Sequence, residues 1–243
     1  MLTRCPYPDC QHEFLLDTTG ERGGVCPSCR RPARFRPLAI LGELERLRRR
    51  RLDDGQDRGG KGADSPGPAP LSALLEDVRS LWNVGSIFRT ADGAGFSLLY
   101  LCGITGCPPR KELMKVSLGA ERAVSWRYHA SALEVLPLLK RQGVQLVALE
   151  SLPAAEPLAQ AVARGAIRAP LCLAVGNEVS GLSAETLAAS DLIVSLPMRG
   201  TKESLNVAVA YGIAAYCLAD ALPDRLSAPE RAARQTAGGH ERR

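Results

Sequence analysis

The sequence predicts an α/β domain on a mostly parallel sheet, preceded by a small cysteine-bearing domain and a flexible linker. Three observations carry this. Beyond residue 70, apolar runs of about five residues alternate with amphipathic stretches, the pattern of strand and helix in parallel-sheet domains. Four of the eight cysteines crowd together at the front, at Cys5, Cys10, Cys26 and Cys29. Between these regions, residues 53–70 are Gly, Pro, Asp and Ser with little else, and can bury nothing. The implied division is 1–36, 37–70, 71–221 and a polar tail over 222–243. At 243 residues the chain has room for one sizeable core and a small appendage.

Taken in order, the first segment reads Cys5-Pro-Tyr-Pro-Asp-Cys10, then a short hairpin-like stretch over 11–20, then Cys26-Pro-Ser-Cys29. Two close cysteine pairs with Pro or Gly at their turns suit four thiolates around one Zn2+, and the pattern resembles a zinc ribbon. His12 is an alternative to Cys10 as ligand. Some thirty residues with few large apolar side chains cannot build a core unaided, so metal is expected to be required for folding. Leucines at 38, 41, 44, 47 and 52 predict a short amphipathic helix over 38–52, and from Arg30 to Arg51 nine arginines face two glutamates. A basic block of this kind suggests an anionic partner, most simply nucleic acid.

Further on, strands are expected over 71–78, 97–102, 144–149, 171–175 and 192–196, with helices over 84–93, 131–142, 184–189 and 205–218. The last helix is apolar nearly all round, so it must be covered by its own sheet or by a second subunit. No apolar run approaches the roughly twenty residues of a membrane span. The opening residues lack a charged-then-apolar leader, so a cytoplasmic protein is expected. Cys102, Cys107, Cys172 and Cys217 sit in apolar runs and read as small hydrophobes. Trp82, Trp126 and Tyr128 suit core or interface better than base stacking.

Strands at 171–175 and 192–196 each run into a polar loop, Gly176-Asn-Glu178 with Gly181 and Leu196-Pro-Met with Ser204-Leu-Asn206. In open α/β sheets ligands sit at such C-terminal strand ends, so Glu178, Ser204 and Asn206 are candidate pocket residues. Asn83 suits a helix cap, Arg89 follows it off the apolar stripe, and Ser204 and Asn206 straddle a helix start where capping is the default role.

Asn83 and Arg89 with Gly93 and Gly95, then Lys115-Val-Ser-Leu-Gly119-Ala-Glu121, then Gly176-Asn-Glu178 with Gly181, then Leu196-Pro-Met with Ser204-Leu-Asn206, resemble in order and spacing the SpoU/TrmH branch of the SPOUT RNA methyltransferases. The resemblance spans residues 71–220. It implies a trefoil-knotted domain, although knots fall outside the general rules of chain topology. It also implies S-adenosyl-L-methionine held in the knot, a homodimeric active site, and methyl transfer to a ribose 2′-hydroxyl of tRNA or rRNA. The implied cofactor-binding set is Leu173, Ala174, Gly176, Asn177, Ile193, Leu196, Pro197, Met198, Ser204 and Leu205. The implied catalytic set is Arg89, Asn83, Glu178, Ser204 and Asn206. The family assigns the motif-one arginine as general base. Because guanidinium stays protonated in proteins, a charged Arg89 that grips a phosphate and stabilises the alkoxide is the alternative, and Glu178 is a rival base. The competing function is a zinc-ribbon nucleic-acid binder whose α/β domain is a catalytically silent dimerisation unit.

Overall fold

The computed structural model describes residues 68–222 and, nearer the N-terminus, residues 2–5, 7, 10, 12–15 and 23–34. The helix expected over 38–52, most of the linker and all but the first residue of the tail lie outside these.

In the N-terminal segment, β1 (Leu2–Arg4) pairs antiparallel with β2 (Glu13–Leu15), and β3 (Gly23–Val25) with β4 (Pro32–Arg34). The larger region runs β5 (Leu71–Glu76), α1 (Leu81–Ala94), β6 (Leu98–Cys102), α2 (Lys111–Ser117), α3 (Ala120–Ala123), β7 (Ser125–His129), α4 (Ala132–Arg141), β8 (Gln145–Leu149), β9 (Glu156–Pro157), α5 (Leu158–Ala163), β10 (Leu171–Val175), α6 (Ala184–Ala189), β11 (Leu192–Ser195) and α7 (Val207–Asp220). Its seven strands form one sheet in the order β7-β6-β5-β10-β8-β11-β9, and every described pairing within it is parallel. The late strands are inserted between early ones: β10 enters between β5 and β8, and β11 between β8 and β9.

Strand alternation divides the core in two. Leu71, Ala73 and Leu75 of β5 with Leu171, Leu173 and Val175 of β10 face α1, α2, α5 and α7, whereas Leu74, Cys172 and Ala174 face α4 and α6. Burial on both faces explains why these strands read as continuous apolar runs. The predicted stripe of α1, Val84, Ile87, Phe88 and Ala91, is fully buried. A Cβ on Gly85 would stand 2.6 Å from the Leu113 carbonyl oxygen, so glycine there allows α1 and α2 to pack closely.

Several expectations shift. The first large strand ends at Glu76. Helix α1 starts at Leu81, because its N-cap is Ser80, whose hydroxyl accepts from the Asn83 N–H; Asn83 lies inside the first turn. The last helix starts at Val207 and reaches Asp220, with Asn206 as its N-cap. Strands β7 and β9 and helices α2, α3 and α5 were not expected. Cys102, Cys107 and Cys172 are buried, but Cys217 is exposed. Trp126 and Tyr128 pack against the core, while Trp82 is exposed. Helix α7 buries Tyr211, Ala214, Ala215 and Leu218 and exposes Val209, Ile213 and Tyr216 at 51%, 44% and 50%. Among the described residues no helix is long and apolar enough to cross a membrane.

Candidate functional site

At the C-terminal ends of β8, β10 and β11 the loops enclose a cavity of about 750 Å³, open solvent included. Its wall includes Gly176, Asn177, Glu178, Leu196, Met198, Ser204, Leu205 and Asn206, so two loops expected to form a pocket do so. The geometry of the 176–182 loop comes from Asn177. Its Nδ2 donates to the Asp77 carbonyl at 2.8 Å, and its Oδ1 accepts from the N–H groups of Val179 and Ser180 at 2.9 and 3.0 Å. A Cβ on Gly176 would fall on the backbone of Gly181 and Leu182, so only glycine lets this loop close on itself.

A hydrogen-bonded chain links three motifs that are far apart in sequence. The Glu178 carboxylate accepts from the backbone N–H groups of Arg79 at 2.9 Å and Ser80 at 3.1 Å, and from Asn83 Nδ2 at 2.8 Å. Asn83 Oδ1 in turn accepts from Asn206 Nδ2 at 3.1 Å. Asn206 Oδ1 accepts from the Ala208 and Val209 N–H groups at 2.9 and 3.4 Å, capping α7. Glu178 thus places negative charge at the N-terminus of α1, where the helix dipole favours it. The chain also ties the starts of α1 and α7 to the loop after β10.

Arg89 lies two turns along α1 from Asn83, exposed, with no hydrogen bond or ion pair to any described residue. In particular Glu178 does not pair with it, since the carboxylate oxygens hold backbone and Asn83 instead. Ser204 is exposed at the cavity wall. Leu173 and Ala174 are fully buried in β10 on opposite faces of the sheet, Ile193 packs against the α4 and α6 side, and Pro197 is exposed. These four do not line the cavity. Glu150 and its neighbour Ser151 also form the wall, along with Val207 and Ala210 of α7. The signal for Glu150 was available: it is the first residue beyond a parallel strand, on the edge where ligands collect.

The Lys115 to Glu121 motif builds a turn. Glu121 is buried and accepts from the Ser117 hydroxyl and, at 3.1 Å, from the Gly119 N–H. Gly119 itself has φ +95°, which glycine adopts without strain.

In the N-terminal segment the four cysteine sulfurs lie within 4.8 Å of one another, with Cys5 to Cys29 at 3.7 Å and Cys10 to Cys26 at 3.8 Å. Four thiolates about 2.3 Å from a tetrahedral Zn2+ stand about 3.8 Å apart, so this donor set fits that ion. His12 is exposed and outside the cluster; its carbonyl accepts from the Cys5 N–H at 2.8 Å. Burial works against ionisation of Cys29, but hydrogen bonds from the Arg31 backbone and side chain and from the neighbouring thiols outweigh it and bring the thiol down to about 6. Burial pushes the Cys5 thiol up. The Arg31 guanidinium sits 3.9 Å over the Tyr7 ring.

Comparison with known proteins places this arrangement. The profile of the SpoU rRNA Methylase family matches residues 70–216. The chain is 31% identical over 159 residues to the 23S rRNA (guanosine-2′-O-)-methyltransferase RlmB of Vibrio parahaemolyticus, covering 65% of this chain and 61% of that protein. Among solved structures it resembles the AdoMet-bound rRNA methyltransferase from Sinorhizobium meliloti, with TM-score 0.58 and 29% identity over 65% of this chain and 58% of that one. It also resembles the TrmH/SpoU tRNA modifying enzyme of A. aeolicus, with TM-score 0.59 and 26% identity over 79% and 89%. The chain spans between 50% and 65% of the length of the curated relatives it matches.

Proposed function

The chain belongs to the SpoU rRNA methylase family, and from that premise we propose that it is an S-adenosylmethionine-dependent RNA methyltransferase acting on a ribose 2′-hydroxyl of tRNA or rRNA. The observation that carries this reading is the chain from Glu178 through Asn83 to Asn206, which joins the cavity to the helix bearing Arg89. The bound sulfonium supplies an electrophilic methyl group. The apolar wall of Val175, Leu196 and Met198 excludes water from a displacement in which charge disappears. Backbone groups of Gly176, Leu196 and Met198 hold the adenosyl part, with Asn177, Ser204 and Leu205 completing the contact. In this reading Leu173, Ala174, Ile193 and Pro197 shape the loops from behind.

Arg89 is the catalytic residue. Its guanidinium grips the phosphate beside the target ribose and stabilises the ribose oxygen as the hydroxyl proton passes to solvent water. Glu178 and Asn83 act as positioning groups, since their polar atoms hold the helix start. The exposed Val209, Ile213 and Tyr216 face of α7 is covered by a second copy of the chain, completing the site as a homodimer. The late insertion of β10 and β11 supports the trefoil knot of the same reading. The four thiols of Cys5, Cys10, Cys26 and Cys29 hold a structural Zn2+. With the arginine-rich run they form an RNA-capturing arm, divided from the catalytic part as residues 1–36, 37–70, 71–221 and 222–243.

Transfer of labelled methyl groups from S-adenosylmethionine to total RNA, followed by mapping of the modified ribose, tests the proposal. Wild-type chain is expected to label RNA, and Arg89→Ala to bind S-adenosylmethionine but not turn over. Near-normal turnover in that variant would sink the assignment. Light scattering of wild type against Ile213→Asp tests the dimer, with a monomeric variant as the expected result.

A further inference from the structure

Glu150 is 7% exposed and yet forms part of the cavity wall. It is held from three sides. Its backbone N–H donates to the Val194 carbonyl of β11 at 2.9 Å, its Oε2 accepts from the Leu182 N–H at 2.9 Å, and its Oε1 accepts from the Ser151 N–H at 3.0 Å. A carboxylate fixed in this way cannot swing out to solvent as an exposed one does. The second charged residue in the wall is Glu178, and no Lys, Arg or His belongs to it among the described residues. The positive end of α7 is nearby, but its first amides are occupied by Asn206 Oδ1. Apolar neighbours such as Val175, Leu196 and Met198 lower the local dielectric, so the field of these carboxylates is felt more strongly inside than at a solvated surface.

A cavity that recognised adenosine by shape and backbone alone would also admit the phosphorylated adenosines of the cell, because all share that part. Charge separates them. We propose that Glu150 is a specificity-determining residue that sorts adenosyl ligands by charge, favouring a cationic sulfonium over neutral or phosphorylated adenosines. This rests on the reading of the cavity as an adenosyl site. Discrimination here has a repulsive component against the wrong ligands as well as an attractive one toward the right ligand.

The test is calorimetric binding of four probes of graded charge to the full chain: AMP, adenosine, S-adenosylhomocysteine and S-adenosylmethionine. In Glu150→Gln, which keeps the shape and removes the charge, S-adenosylmethionine is expected to weaken roughly five- to tenfold and AMP to tighten by a comparable factor. Adenosine and S-adenosylhomocysteine should stay within about twofold. Glu150→Asp, which restores the charge, should return the wild-type order of affinities, a recovery that a merely structural prop would not produce. A uniform change across all four ligands, or none in any, overturns the inference and leaves the adenosyl reading standing. Wild-type chain that binds none of the four removes both.

Discussion

In the sheet region Phe88, Phe96, Leu99 and Tyr211 are sealed from solvent together with a continuous cluster drawn from five parallel strands and five helices. In the N-terminal segment the described side chains that are buried are Thr3, Cys5, Tyr7 and Cys26. One region spreads its stability over many aliphatic contacts, each of modest worth. The other concentrates it in four sulfurs within 4.8 Å of one another. Damage to a distributed core is graded, whereas loss of a single shared ion is not.

On the proposed reading of the four sulfurs as a Zn2+ site, removing the ion should have the largest effect. Structural zinc in small modules carries about 10–16 kcal/mol of apparent binding free energy. Chelation, or Cys26→Ser, is expected to abolish zinc content and ordered NMR signals from the first segment while S-adenosylmethionine binding persists. A matching loss of that binding would show that the two regions are not separable. Next comes the sheet core: Phe88→Ala should cost about 3–5 kcal/mol in urea unfolding, from lost burial and the cavity left behind. Asn83→Ala should cost about 1–3 kcal/mol, because its removal takes one donor from the Glu178 carboxylate and leaves Asn206 Nδ2 without its acceptor. Its turnover should fall as well, as the starts of α1 and α7 lose their hydrogen-bonded link. Smallest in stability is Arg89→Ala, expected to stay within about 0.5 kcal/mol because the side chain is exposed and touches no described partner. Turnover would be lost all the same, so in this last case stability and activity part company.

The sequence made some parts of this molecule legible and left others dark for physical reasons. Strands β5, β6, β8 and β10 could be read because burial on both faces forces apolar runs, and β11, half-buried apart from Val194, from its short Leu-Ile-Val run. Strand β7, Ser125–His129, could not, because it lies at the sheet edge, is half-buried throughout, and alternates aromatic with polar side chains. Helices α3 and α5, of four and six residues, are too short to set up a recognisable period. Asn83 was expected as a helix cap, a local role. Its actual partners are 95 and 123 residues away, which no local pattern encodes. Motif resemblance brought Asn83, Glu178 and Asn206 into one list, but only the folded chain gives the order in which they bond. Glu150 belongs to none of those motifs and emerged with the cavity. The cysteine set was the reverse case: the spacing pointed to Cys5, Cys26 and Cys29 with Cys10 or His12, and the fold draws the four sulfurs together.

The strand order has a consequence for how the chain reaches its fold. β5 lies against β10, with Leu71 opposite Leu171, and the Ser72 hydroxyl donates to the Leu171 carbonyl across 99 residues. During synthesis β5 emerges early, yet one of its edges stays without its final neighbour until β10, 99 residues later, has been made. Pairings this distant in sequence are slow to form, because the intervening loop must be closed before any contact rewards it. In the interval that apolar edge is open to other nascent chains. Refolding yield should therefore fall as protein concentration rises, even under conditions where the finished molecule is fully stable.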